Sequence, residues 1–131
     1  MALRVVRLGT PRLPHEGLRL GTVRRPPRGV RKEEYAARDY YDAWLPELAP
    51  SAPLVSFALS KPFTPARWAA YARRYRREMA EPAAQRLLAV LAALSRQTDL
   101  SVGCYCEEEA RCHRSLLREL LVDKGARLAA G

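Results

Sequence analysis

Between Leu100 and Lys124 the chain reads LSVGCYCEEEARCHRSLLRELLVDK. Leu100–Tyr105 is a short, nearly continuous apolar run, the pattern of a buried strand. A polar stretch follows. From Ser115 to Lys124 the apolar positions Leu116, Leu117, Leu120 and Leu121 then recur at helical spacing, and Gly125 is placed to cap the helix C-terminus. A buried strand that feeds an amphipathic helix through a polar loop needs layers on both elements, which predicts an α/β domain. In such domains ligands collect at the C-terminal ends of strands and at helix N-termini.

The remaining segments extend the pattern. Leu3–Leu8 and Leu18–Val23 read as strands, separated by a loop that holds Pro11 and Pro14. The run RRPPRG at 24–29 interrupts regular structure. Arg31–Leu48 carries Tyr35, Tyr41, Trp44 and Leu45 at spacings that predict a helix, and Pro46, Pro50 and Pro53 then predict a loop. Thr64-Pro65 is a helix start, with a capping hydroxyl and proline at the first helical position. Trp68, Tyr71, Tyr75 and Met79 make one stripe, best read as core, since a base-stacking platform would need the rings exposed. Glu81-Pro82 opens a further helix with a broad apolar face formed by Leu87, Leu88, Val90, Leu91 and Leu94. The predicted order is β-β-α-α-α-β-α with a last short strand at 126–128. Together these describe one compact domain over 1–131, with a short, mainly parallel sheet flanked by helices.

The chain has 131 residues, 48% of them hydrophobic, which is enough for one core. Its three cysteines are odd in number and clustered, which fits a reducing compartment rather than a disulfide scaffold. The first residues lack the apolar run and cleavage pattern of a secretory leader, and no apolar run is long enough to span a membrane. A cytoplasmic protein is expected. The net charge is +9, concentrated as +7 in residues 1–31, and 20 of the 23 basic residues are arginine. Such a surface attracts anions, from small phosphorylated molecules to nucleic acid. No helix-turn-helix, zinc-finger or RNA-recognition pattern accompanies it.

Reactive chemistry is concentrated in one place. Cys104, Cys106, Cys112 and His113 lie within ten consecutive positions, followed by Arg114. A cysteine at a helix N-terminus beside arginine favours its thiolate, so Cys112 is a candidate nucleophile, with Cys104 as a second. His113 is a candidate acid or base. Arg114, with Arg25 and Arg28 of the RRPPRG loop, offers guanidinium groups to an anion. The phosphatase loop is excluded, because it needs five residues between Cys and Arg, and Cys106–Arg111 and Cys104–Arg111 leave four and six. Successive helical residues diverge by about 100°, so a Cys112–His113 pair needs a non-helical Cys112. The structural alternative is that the thiols are small buried residues and His113 caps the helix.

PRG at 27–29, WLPELAPS at 44–51, the helix RW…YARRYRREM at 67–79 and CHRSLLRELL at 112–121 occur in an order that resembles the DUF488 family of small bacterial proteins. The resemblance covers nearly the whole chain and implies a compact α/β fold with no assigned reaction. Cys104, Cys112, His113 and Arg114 match recurring polar positions of that family, whereas Cys106 looks less general.

The leading expectation is a pocket or enzyme for an anionic, phosphate-bearing small molecule at 104–114, with no cofactor. Cys104, Cys106, Cys112 and His113 also make up a Cys₃His zinc set. Zinc sites usually join two separated knuckles, however, and here all four donors crowd one segment. Disulfide formation between Cys106 and Cys112 is a redox variant. Nucleic acid on the arginine-rich surface is the alternative partner. No membrane partner is expected, and oligomeric state is not legible.

Overall fold

A computed structural model describes residues 1–60 and 62–129 of the chain. Four strands, β1 (Leu3–Arg7), β2 (Leu18–Gly21), β3 (Ala43–Trp44) and β4 (Leu100–Cys104), form one parallel sheet in the order β1-β4-β2-β3. The helices are α1 (Ala52–Leu59), α2 (Pro65–Met79), α3 (Pro82–Leu94) and α4 (His113–Asp123). The expected α/β class and parallel sheet are what the chain adopts. Among the described residues, no helix is long and apolar enough to cross a membrane.

β4 is central, and all five of its residues are buried. Alternation along a strand sends Leu100 and Val102 to one face, where they join Leu3 and Leu20 against Tyr75, Leu88, Leu117 and Leu121 of the helices. Each such aliphatic side chain contributes about 1.5–3 kcal/mol when fully buried. The other face at Ser101 is polar but closed. Ser101 Oγ donates to Glu16 Oε1 at 2.9 Å, and Glu16 in turn pairs with Arg19 (Nε–Oε1 2.5 Å, NH2–Oε2 2.9 Å). Neither member of that pair is more than 1% exposed.

α2 begins as expected: Thr64 Oγ1 accepts the Arg67 amide and Pro65 follows. Tyr71, Tyr75 and Met79 are buried and Trp68 is half-buried, so the stripe is core. Gly125 ends α4 with φ +90°. The expected last strand shrinks to one parallel bridge, Leu3 to Leu128.

Two expectations are corrected. Arg31–Leu48 is not a helix. It holds single 3₁₀ turns at Lys32–Glu34 and Pro46–Leu48 and the short strand β3. The backbone turns at Asp39, whose φ is +62°. Arg12 holds both Asp39 (3.5 Å) and Asp42 (2.8 Å), while Asp42 accepts the Arg19 amide at 2.8 Å. These local polar bonds outcompete helical pairing. Conversely, the proline-rich stretch expected as a loop contains α1. Ser51 caps it, and Pro53 falls in the first turn, where a missing amide costs nothing.

Gly17 sets the start of β2 beside β4. Its φ is +71°, and a Cβ there would lie 2.0 Å from the Asp99 carbonyl oxygen. Gly17→Ala is expected to cost at least about 2 kcal/mol in urea unfolding. A loss below roughly 0.5 kcal/mol would contradict this packing.

Candidate thiol site

Cys104 is the last residue of β4, at the C-terminal edge of the sheet. Tyr105 and Cys106 leave the strand, and a 3₁₀ turn at Glu109–Arg111 returns the chain to α4. Three ion pairs pin this return: Arg118 to Glu109 (2.7 Å), Arg111 to Glu108 (3.5 Å) and Arg7 to Glu107 (3.7 Å). The fold-back brings the Cys104, Cys106 and Cys112 sulfurs within 4.8 Å of one another. Spacing within one segment therefore does not keep the thiols apart. They are close enough to hold a metal ion, and His113 is not part of that set.

Cys112 is the N-cap of α4 and has extended backbone, φ −126° and ψ 152°. This is the non-helical conformation that a Cys112–His113 pair requires, and the Cys112 Sγ–His113 Nδ1 distance is 3.7 Å. His113 does not cap the helix. Its Nε2 lies 2.7 Å from the Thr22 carbonyl, which can only accept, so Nε2 carries the hydrogen. In the neutral ring Nδ1 then presents a lone pair to Cys112. Thr22 is itself held by its amide and hydroxyl on the Gly103 carbonyl (3.0 and 2.9 Å).

The thiols differ in exposure. Cys104 and Cys112 are buried and Cys106 is exposed. Cys104 Sγ donates to Cys106 Sγ across 3.6 Å. That hydrogen bond, then the Cys112 thiol close by, outweighs burial and lowers the Cys106 thiol to about 3, with the Arg114 charge assisting. The same bond and the neighbouring sulfurs push Cys104 well above the ordinary thiol range. Between these two hydrogen-bonded sulfurs the shifts favour the anion on exposed Cys106 and the proton on buried Cys104.

These groups open on a cavity of about 280 Å³. Val23, Pro50, Val55 and Leu59 make it largely apolar, and the three cysteines, Tyr71 and His113 line its reactive side. Burial raises Tyr71 well above the ordinary phenol range, so its hydroxyl keeps its proton. The arginines are distributed unevenly. Arg25 and Arg111 line the cavity and are exposed. Arg24 also lines it, but its guanidinium serves the Pro46, Ala49 and Pro50 carbonyls. Arg28 belongs to a neighbouring cleft with Pro26, Tyr40 and Tyr105. Arg114 is 4% exposed and does not line the cavity; it donates to the Cys106 carbonyl at 2.6 Å, leaving its buried Nε without a protein partner.

Of the residues singled out from sequence, Cys104, Cys106, Cys112, His113 and Arg25 meet at one cavity. Arg28 and Arg114 stand outside its wall. Arg111, Tyr71 and Thr22 escaped sequence reading. Arg111 directly precedes Cys112 and Tyr71 lies in a stripe read as core, so position alone does not set them apart. Tyr105 fixes the Arg25 segment by donating its hydroxyl to the Arg25 carbonyl at 3.0 Å.

The family model DUF488-N3a, described as "Active DUF488-N3 subclade", matches residues 3–125. No curated protein and no solved structure gives a match.

Proposed function

The chain belongs to the DUF488 family, and from the site's own residues we propose that it is a cysteine-dependent enzyme acting on a small anionic molecule. The observation that carries this reading is the exposed Cys106 sulfur, 3.6 Å from Cys104 Sγ, on an otherwise apolar cavity at the junction of β4 and α4, where the neighbouring thiols favour its thiolate. A thiolate is the competent nucleophile, and its exposure leaves it free to attack. The Cys112 thiol, set beside the His113 Nδ1 lone pair, holds a proton that a leaving group can take. Arg25 and Arg111 at the rim favour a substrate carrying carboxylate or phosphate. The first turn of α4 has no side-chain cap and adds a positive end to the same cavity. The description of the subclade as active agrees with this reading.

Two alkylating agents of similar size test it. Anionic iodoacetate is expected to label Cys106 about 3–10 times faster, relative to neutral iodoacetamide, than it labels a free thiol at low salt. The preference is expected to shrink in Arg25→Ala/Arg111→Ala. A ratio equal to that of a free thiol would sink the anionic-substrate reading.

A second reading rests on the sulfur positions alone. Cys104, Cys106 and Cys112 would supply three thiolate ligands to a zinc ion. Protein purified without chelator would then carry about one zinc per chain and lose it in Cys106→Ser. Metal-free protein with a reactive Cys106 favours the first reading.

A further inference from the structure

We infer that Cys104 and Cys106 form a working dithiol that reduces small anionic disulfides, with Cys106 attacking and Cys104 resolving. The inference deepens the reading above and rests on Cys106 as its attacking thiol.

The geometry divides the labour. Cys106 is exposed on the loop after β4, where a bulky disulfide can reach it. Cys104 is 6% exposed and fixed in the central strand, so an external disulfide meets Cys106 first. The two sulfurs are 3.6 Å apart, and a disulfide bond is about 2.05 Å long. Closing that gap asks for a movement of about 1.5 Å, which the loop residue can make while the strand residue stays in place. Cys112, by contrast, faces His113 Nδ1 from the N-cap of α4. Exposed Arg25 and Arg111 select disulfides that carry carboxylates.

The reaction balances without a further reactant. The Cys106 sulfur attacks one sulfur of RSSR; the R–S–S–R bond breaks, a Cys106–S–SR mixed disulfide forms and RS⁻ departs. Cys104 then gives up its proton and attacks the Cys106 sulfur, releasing the second RS⁻. The two leaving thiolates take one proton from Cys104 and one from solvent. The small disulfide is reduced to two thiols and the protein dithiol is oxidised to Cys104–Cys106. An external thiol reductant returns the pair.

Oxidised glutathione is the probe, added in excess to the reduced full chain. Wild-type protein is expected to release two glutathiones per chain and retain no adduct, with peptide mapping joining Cys104 to Cys106. Cys104→Ser is expected to stop after the first step, with glutathione held on Cys106. Cys112→Ser is expected to react at a changed rate yet still to give the Cys104–Cys106 bridge and two glutathiones per chain, since Cys112 is not the resolving thiol. Should Cys104→Ser fold poorly by circular dichroism, Cys104→Ala serves the same purpose in its apolar cluster. A stable glutathione adduct on wild-type Cys106, or a bridge that maps to Cys106–Cys112, overturns this inference alone. A Cys106 that neither forms an adduct nor takes up iodoacetamide overturns the reading beneath it as well.

Discussion

Glu16→Ala is expected to destabilise the fold by about 3–5 kcal/mol, because it strands the Arg19 guanidinium in the interior. Arg19 is 0% exposed. Besides Glu16, it donates to the Thr10 and Asp39 carbonyls at 2.9 and 2.6 Å. Glu16 also accepts the Leu13 amide and the Ser101 hydroxyl, each at 2.9 Å. The pair therefore ties β2, β4 and the Asp39 turn together, and with them the strand end that presents Cys104. Domains of this size are held by only about 5–15 kcal/mol, so much of the variant is expected to be unfolded at 37 °C. Replacing both partners by Leu and Met should cost less than either single change, since no unpaired charge then remains. Urea unfolding of Glu16→Ala, Arg19→Met and Glu16→Leu/Arg19→Met provides the comparison; a loss below about 1 kcal/mol in either single variant would contradict the buried-charge account.

The same carboxylate makes stability depend on acid. Burial alone would raise the Glu16 pKa, but hydrogen bonds from Arg19, Leu13 and Ser101 outweigh it and the net shift is downward. A carboxylate lowered in the folded state binds protons more readily when unfolded. Its contribution is therefore present above the unfolded value of 4.5 and is lost as pH falls through the folded one. Wild-type protein should lose stability below about pH 4.5 more steeply than Glu16→Ala.

The second large effect concerns the thiols. Removing the two sulfur donors in Cys104→Ala/Cys112→Ala should return Cys106 toward an ordinary thiol, near 8.5. Two opposing consequences follow. At pH 4 an ordinary thiol is ionised only about once in 30,000 molecules, whereas wild-type Cys106, lowered to about 3, is mostly thiolate. Intrinsic nucleophilicity nevertheless falls with pKa, with a coefficient of about 0.45, which costs wild type about 300-fold. The double variant should therefore alkylate about 100-fold more slowly than wild type at pH 4 and several tens of times faster at pH 8, by about the same relation. A variant that changes rate in the same direction at both ends would show that the sulfurs do not share one charge.

Much of this site is legible in sequence, though unevenly. The β4–loop–α4 unit and α2 follow from local signals that agree with the fold: an apolar run, Thr64-Pro65, and a stripe at helical spacing. The segment 31–48 misleads because Tyr35, Tyr41 and Trp44 imitate a helical face while Asp39 and Asp42 bond to Arg12 and to the Arg19 backbone. Those partners lie 20 or more residues away in sequence, beyond the reach of periodicity. α1 is hidden by its prolines, although Ser51 holds the capping position and the Glu78 carboxylate receives the Ser51 amide at 2.8 Å.

The chemistry follows the same division. Sequence places the cysteines, His113 and Arg114 in one region, and favours Cys112 for its place at a helix start. Which sulfur carries the charge depends on distances between residues in different elements. Cys106 is exposed, receives a hydrogen bond from buried Cys104 and lies within 4.8 Å of buried Cys112, an arrangement that emerges only when the loop folds back. The guanidinium roles are equally unreadable in sequence. Arg24 and Arg25 are neighbours, yet one is consumed by carbonyls and the other faces the cavity.

The central claim, a thiolate resident on Cys106, is tested most directly by its alkylation rate with iodoacetamide from pH 4 to 9, read by mass mapping of that residue. A rate that stays level across this range is the predicted result, since the thiolate is already formed at its acid end. A rate that climbs tenfold per pH unit and levels off near 8.5, as for a free cysteine, would contradict it.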